Sequence, residues 1–253
     1  VDPERVTYGD DPSQYVEISR PAGRPRGTVV VVHGGFWKAE YDASLGRPLA
    51  ASLAAEGWTA VNVEYRRVGN GGGVPATLDD VAAAIDLLAD VEGLDTSTVV
   101  TLGHSAGGHL AVWAAARGRF PRWQPERVKV MAAVSQAGVL DLTAGYADGL
   151  GTGAVERFTG SAPGPSYDMV DPRRQLPLDV PVRCVHGTDD DVVPVSQSRD
   201  YVAAATAAGA DASLTEVAGD HFVVIAPGSD AWARTLTLLA ALAPPAPAPP
   251  TSG

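Results

Sequence analysis

Gly103-His104-Ser105-Ala106-Gly107 is the segment of this chain best equipped for covalent chemistry, because it sets a serine between two glycines as G-x-S-x-G. In a sequence with 28 glycines the pattern alone is weak, so its surroundings must decide. Residues 98–102 before it are β-branched and apolar, and residues 107–117 after it read as a helix. A serine on so tight a strand-to-helix turn is held in strained backbone geometry, and flanking glycines remove the side chains that would clash. The turn lifts the hydroxyl to the helix N-terminus, where the backbone dipole favours developing negative charge. Ser105 is the candidate nucleophile.

A serine that attacks a carbonyl needs donors for the oxyanion, a base for its proton and an acid to orient that base. His33-Gly34-Gly35-Phe36-Trp37 follows the apolar run 28–32, and its two glycines let the backbone approach closely. The amides of Gly35, Phe36 and Ala106 are the expected oxyanion donors. Five histidines compete for the role of base. The His104 side chain should leave the turn away from its neighbour Ser105, His109 is one helical turn on and should pack, His33 should brace its loop, and His186 should be a satisfied polar group ending a strand. His221, in a polar loop after residues 214–217, remains as the base. The acid should lie between serine and base in the chain, where Asp189-Asp190-Asp191 offers three choices that spacing does not separate. Three clustered carboxylates could hold a hard cation, but no further well-spaced acids support one, so no metal is expected.

The elements that must position these groups read as an alternation. Strands are expected at 28–32, 59–63, 98–102, 128–134 and 182–185, with 214–217 weaker and 15–18 as an antiparallel edge. Near-continuous apolar runs mark strands covered on both faces. Helices are expected at 45–56, 78–91, 107–117, 196–208 and 230–242, the second opened by a capping box of Thr77 and Asp80. The fold class is α/β: one domain over residues 1–243, with a mostly parallel sheet and helices on both faces. Residues 139–181 break the alternation and read as a lid-like insert beside the site. Residues 244–253 begin with a proline-rich run and read as a disordered tail.

Composition narrows the class. Apolar residues make up 45% and charged residues 19%, a globular balance. Acids outnumber bases 30 to 19, a net charge of −11 that repels phosphate backbones and anionic lipid. Neither nucleic acid nor membrane is an expected partner. The single cysteine, Cys184, excludes an internal disulfide and any multi-cysteine metal site, and on a buried strand it should be inert. The opening residues lack a signal-peptide layout, and no apolar run is long enough to span a bilayer, so a cytoplasmic protein is expected.

Taken together, these motifs resemble the α/β-hydrolase superfamily over residues 15–242. The order of serine, aspartate run and histidine is that of the superfamily. Members often carry H-G-x-x-D-x-x-V-P, and His186-Gly187-Thr188-Asp189-Asp190-Asp191-Val192-Val193-Pro194 matches it. The resemblance implies Asp190 as the acid and Asp189 and Asp191 as turn residues. H-G-G-x-W, with Val63-Glu64-Tyr65-Arg66 and Gly138-Val139-Leu140-Asp141-Leu142, resembles the arylformamidase (kynurenine formamidase) group and its esterase relatives. That group implies a cofactor-free acyl-enzyme mechanism on a small acyl amide or ester, with N-formylkynurenine as the expected substrate. A short-chain or aryl carboxylesterase is the alternative, and a low-turnover receptor on the same fold a more distant one. Trp37, Tyr65 and Phe222 are the expected substrate contacts.

Overall fold

Valine-rich runs with both faces apolar belong in the middle of a covered sheet, and a computed structural model describing residues 2–243 places them there. Eight strands form one sheet: β1 (Glu4–Thr7), β2 (Tyr15–Ser19), β3 (Thr28–Val32), β4 (Thr59–Val63), β5 (Val99–His104), β6 (Ala132–Gln136), β7 (Val182–Gly187) and β8 (Ala212–Val217). Their spatial order is β1-β2-β4-β3-β5-β6-β7-β8. From β4 to β8 all neighbours are parallel, while β1 and β2 run antiparallel. β2 is antiparallel as expected but is not the edge, because β1 pairs outside it. The mostly exposed Glu4-Arg5-Val6-Thr7 carries no apolar run that would announce a strand.

Alternate residues of β3 serve opposite layers, as the two-residue period of a strand requires. Val30 and Val32 pack with Leu78, Val81, Ile85, Leu110 and Trp113, from α2 (Ala76–Leu87) and α3 (Ala106–Ala116). Val29 and Val31 pack with Leu49 and Leu53 of α1 (Arg47–Ala55) and with Trp232 and Leu239 of the C-terminal helix Asp230–Leu242. The expected capping box is not formed. Thr77 lies inside the first turn of α2, where its hydroxyl donates to the Arg66 carbonyl (2.6 Å) and accepts from the Gly73 amide (2.9 Å). Asp80 instead takes the Arg66 guanidinium (2.7 Å). Long-range partners satisfied both groups better than the local cap would have.

Residues 139–181 contain α4 (Leu142–Ala147), α5 (Leu150–Thr159) and short 3-10 turns. They cover the outer face of α3, which is why that helix is apolar all round. Trp113 Nε1 donates to the Met169 carbonyl (3.0 Å), and His109 Nε2 to that of Val170 (2.8 Å). The buried Asp171 carboxylate joins the two ends of the segment by accepting from the Leu142 amide (3.1 Å). After it come β7, α6 (Ser196–Ala207) and β8, with the last helix, α7 (Asp230–Leu242), returning across the sheet. The proline-rich tail lies outside the described residues. Among those described, no helix is long and apolar enough to cross a membrane.

Candidate active site

Ser105 occupies the junction of β5 and α3 with φ 57° and ψ −120°, a conformation L-residues rarely adopt. Its amide donates to the Gln136 carbonyl (2.8 Å) at the end of β6. Two glycines permit the turn. A Cβ on Gly107 would stand 2.0 Å from the Val32 carbonyl oxygen, and one on Gly103 would stand 2.0 Å from that of Gly107. Ser105 is nearly enclosed, with a relative exposure of 2%.

The parallel sheet brings the loops after β7 and β8 to the same edge. There His221 Nδ1 meets Asp190 Oδ2 at 2.6 Å. A carboxylate accepts, so Nδ1 carries the proton and Nε2 keeps a lone pair. The Asp190 side chain is fully buried. Its other oxygen accepts from the amides of Val192 (2.9 Å) and Val193 (2.8 Å), and His186 Nε2 stands 3.1 Å from Oδ2. Burial opposes ionisation, but the neighbouring His186 and the hydrogen bonds from His221 and the Val193 amide outweigh it and hold the carboxyl below the usual range. Asp189 and Asp191 are exposed, and Asp189 accepts from the Gly219 amide (3.2 Å). Among the described residues no hydrogen bond joins the Ser105 hydroxyl to His221, a contact that commonly tightens only with substrate bound.

His104 does more than point away. Its Nε2 donates to the His221 carbonyl (2.9 Å), and the two rings lie 4.4 Å apart. Burial, then the neighbouring His221, push its pKa down to about 3, so it packs against the candidate base as a neutral ring. Gln136 adds a second tie, its side-chain amide donating to the Val224 carbonyl just beyond His221.

The loop after β3 comes against the serine turn. A Cβ on Gly34 would lie 2.7 Å from the His104 carbonyl oxygen and 3.0 Å from Ser105 Cβ. Gly35, Phe36 and Trp37 have φ of 109°, 50° and 54°, so three successive residues sit in the left-handed region. Two of these are not glycine, so tertiary contacts must hold the loop. His33 Nδ1 donates to the Gly34 carbonyl (2.8 Å), Tyr65 stacks on the His33 ring at 4.4 Å, and Val68 N donates to the Trp37 carbonyl (2.8 Å). Among the described residues the amides of Gly35, Phe36 and Ala106 donate to no protein acceptor.

Two expected substrate contacts are corrected. Trp37 and Tyr65 have no exposed surface. The Trp37 indole stacks on Phe158 at 4.5 Å, and the Tyr65 hydroxyl donates to the His33 carbonyl (2.7 Å). Both support the loop from below, because an indole and a phenol bury more area there than at the mouth. Phe222 is 58% exposed, with its ring 5.2 Å from that of His221. Tyr41, also exposed, packs over Gly35 and was missed, since nothing local marks it. A cleft of about 860 Å³ lies elsewhere, lined by Arg20, Arg47, Ala50 and Ala54 among others, and holds none of the groups described above. Among the described residues no cluster of three or more His, Cys, Asp or Glu is arranged for a metal.

The family model BD-FAE matches residues 16–204, about three quarters of the chain and all of the serine turn. The chain belongs to the BD-FAE family of α/β-hydrolase esterases. It is 31% identical over 216 residues to Esterase LipC of Mycobacterium tuberculosis, covering 78% of this chain and 53% of LipC. It is 30% identical to the probable carboxylic ester hydrolase LipM of the same organism, covering 50% of that protein. The chain thus spans about half the length of these curated relatives. Its fold is similar to that of a thermophilic esterase, Est2 of Thermogutta terrifontis, solved with propionate bound: TM-score 0.76, 25% identity, 94% of this chain and 92% of that one. A truncated carbohydrate esterase from gut microbiota shares the fold at TM-score 0.78 and 20% identity over 94% of each chain. These matches support the α/β-hydrolase expectation and an esterase family. They do not show an arylformamidase-like specificity.

Proposed function

We propose that the chain is a serine carboxylesterase acting on esters with a short acyl group. The observation that carries this is the Asp190–His221 hydrogen bond of 2.6 Å at the same sheet edge as a serine held at φ 57°. Ser105 Oγ attacks the ester carbonyl while His221 Nε2 takes its proton, and the imidazolium is held by Asp190. The amides of Gly35, Phe36 and Ala106 hold the oxyanion, each worth about 3–4 kcal/mol in such sites. His221 then passes the proton to the leaving alcohol, and water repeats the cycle on the acyl-serine. The chemistry needs no cofactor. Est2 with bound propionate supports a small acyl pocket, and the esterase relatives support an oxygen leaving group.

H-G-G-x-W still favours a second substrate, an aryl formamide. The test is kcat/KM on p-nitrophenyl acetate and on N-formylkynurenine, with Ser105→Ala as control. Ester turnover exceeding formamide turnover by about 100-fold, or about 2.7 kcal/mol of transition-state discrimination, is the expected result. The reverse preference would establish the formamidase instead. Wild-type rates in Ser105→Ala would sink both.

A further inference from the structure

His186 is the satisfied polar group at a strand end that the sequence suggests, and it also touches the acid. Its ring is fully buried at the end of β7. Nε2 lies 2.9 Å from the Val193 carbonyl and 3.1 Å from Asp190 Oδ2. Both neighbours only accept, so Nε2 carries a proton. Nδ1 lies 2.8 Å from Ser198 Oγ on α6 and takes the serine's hydrogen. Ser198-His186-Asp190 thus copies the outline of a triad. It cannot act as one, because Ser198 is wholly buried and faces Nδ1.

We propose that His186, with its tautomer set by Ser198, is a positioning residue that keeps the Asp190 carboxylate oriented toward His221. This rests on the assignment of Ser105, His221 and Asp190 above. Three hydrogen bonds reach the carboxylate, from two amides on Oδ1 and from His221 on Oδ2, and His186 Nε2, whose hydrogen goes to the Val193 carbonyl, adds a polar contact at 3.1 Å to Oδ2. With contacts on both oxygens, the carboxylate plane is restrained from turning, and His186 closes the side of Oδ2 that His221 leaves open. Without His186 the carboxylate would be freer to turn away from His221. The imidazolium would lose part of its counter-charge, and the acid limb of the kcat/KM profile would move to lower pH. The charged and titratable groups around this pair are His104 against His221, the buried Cys184 thiol against Ser198, and Glu216 of β8, which is in register with His186 and paired with Arg199.

The experiment uses His186→Phe and His186→Gln in the full chain, with kcat, KM and the pH profile read on p-nitrophenyl acetate. Phe should lower kcat about 10–100-fold with KM within about threefold, as loss of an outer partner to a reacting group typically does. Its acid limb should move to lower pH. Gln offers an N–H at similar reach and should restore most of kcat. A folded His186→Phe with the wild-type kcat and profile would overturn the proposal. So would equal losses in both variants with an unmoved profile, the mark of a strand-end fastener. Should the Phe variant not fold, Gln decides: near-wild-type kcat supports the role, and a tenfold loss with an unmoved limb overturns it. An active Ser105→Ala would remove the catalytic assignment and this proposal together. An inactive one beside an unchanged His186→Phe removes the proposal alone.

Discussion

Replacing Asp190 by Asn changes one oxygen into an NH2 and leaves the surroundings intact. All four of its partners are donors: the Val192 and Val193 amides at 2.9 and 2.8 Å, His221 Nδ1 at 2.6 Å and His186 Nε2 at 3.1 Å. Whichever way the amide turns, its NH2 faces two donors. If the carbonyl stays on the two backbone amides, His221 can relieve its clash only by moving its proton to Nε2, the nitrogen that must accept from Ser105. The enzyme then holds the wrong tautomer, a defect that costs about 10⁴-fold in kcat in serine proteases, or about 5.5 kcal/mol. If the carbonyl turns to the histidines, two buried amides lose their acceptor, at about 1–3 kcal/mol each. Asp190→Asn should therefore lower kcat on p-nitrophenyl acetate by about 10³–10⁴-fold, with a reduced unfolding temperature. Asp189→Asn and Asp191→Asn, both exposed, should stay within about threefold of wild type. An Asp190→Asn variant within tenfold of wild type, or an Asp189→Asn variant equally impaired, would refute the assignment of the acid.

Acid should destabilise the fold well above the carboxylate range. Burial pushes His33 and His104 down to about 3 and His109 to about 4, from 6.5 when free. Between those values the unfolded chain binds more protons than the folded one, so stability falls as pH falls below about 6.5, by up to about 4 kcal/mol per pH unit for the three together. Equal urea midpoints at pH 7.5 and pH 5.5 would contradict this. Below about pH 4 the depressed Asp190 carboxyl adds to the loss, since its contribution is complete only above its unfolded value. Gly107→Ala should abolish activity and soluble expression, because its Cβ would collide with two backbone carbonyls of β3 and its loop. Trp37→Ala should cost about 3–5 kcal/mol as a large buried side chain. Phe222→Ala should change stability by less than about 0.5 kcal/mol and act on KM, and thermal unfolding beside ester kinetics separates the two.

Much of this molecule is local. The runs at Thr28–Val32 and Thr59–Val63 became strands with the expected bounds, and Asp230–Leu242 a helix, because period and apolarity decide such elements within a few residues. The serine turn was legible for the same reason: Gly103 and Gly107 leave the backbone one way to pass. What escaped were interactions between distant parts of the chain. β1 exists because β2 offers it an edge, and Thr77 and Asp80 gave up a local cap for Arg66 and its neighbours.

At the site, residue types and the order of serine, aspartate and histidine were visible along the chain, and so was the loop expected to supply the oxyanion donors. Which face each side chain would turn to the site was not. Trp37 and Tyr65 went beneath the loop because burial of a large ring outweighs exposure at a mouth. Asp190 met His221 across 31 residues, and His186 met Asp190 from the end of a strand. A hydrogen bond depends on direction within a few tenths of an ångström, and in this protein that direction is set by the packing of β7, β8 and α6, which no local pattern encodes.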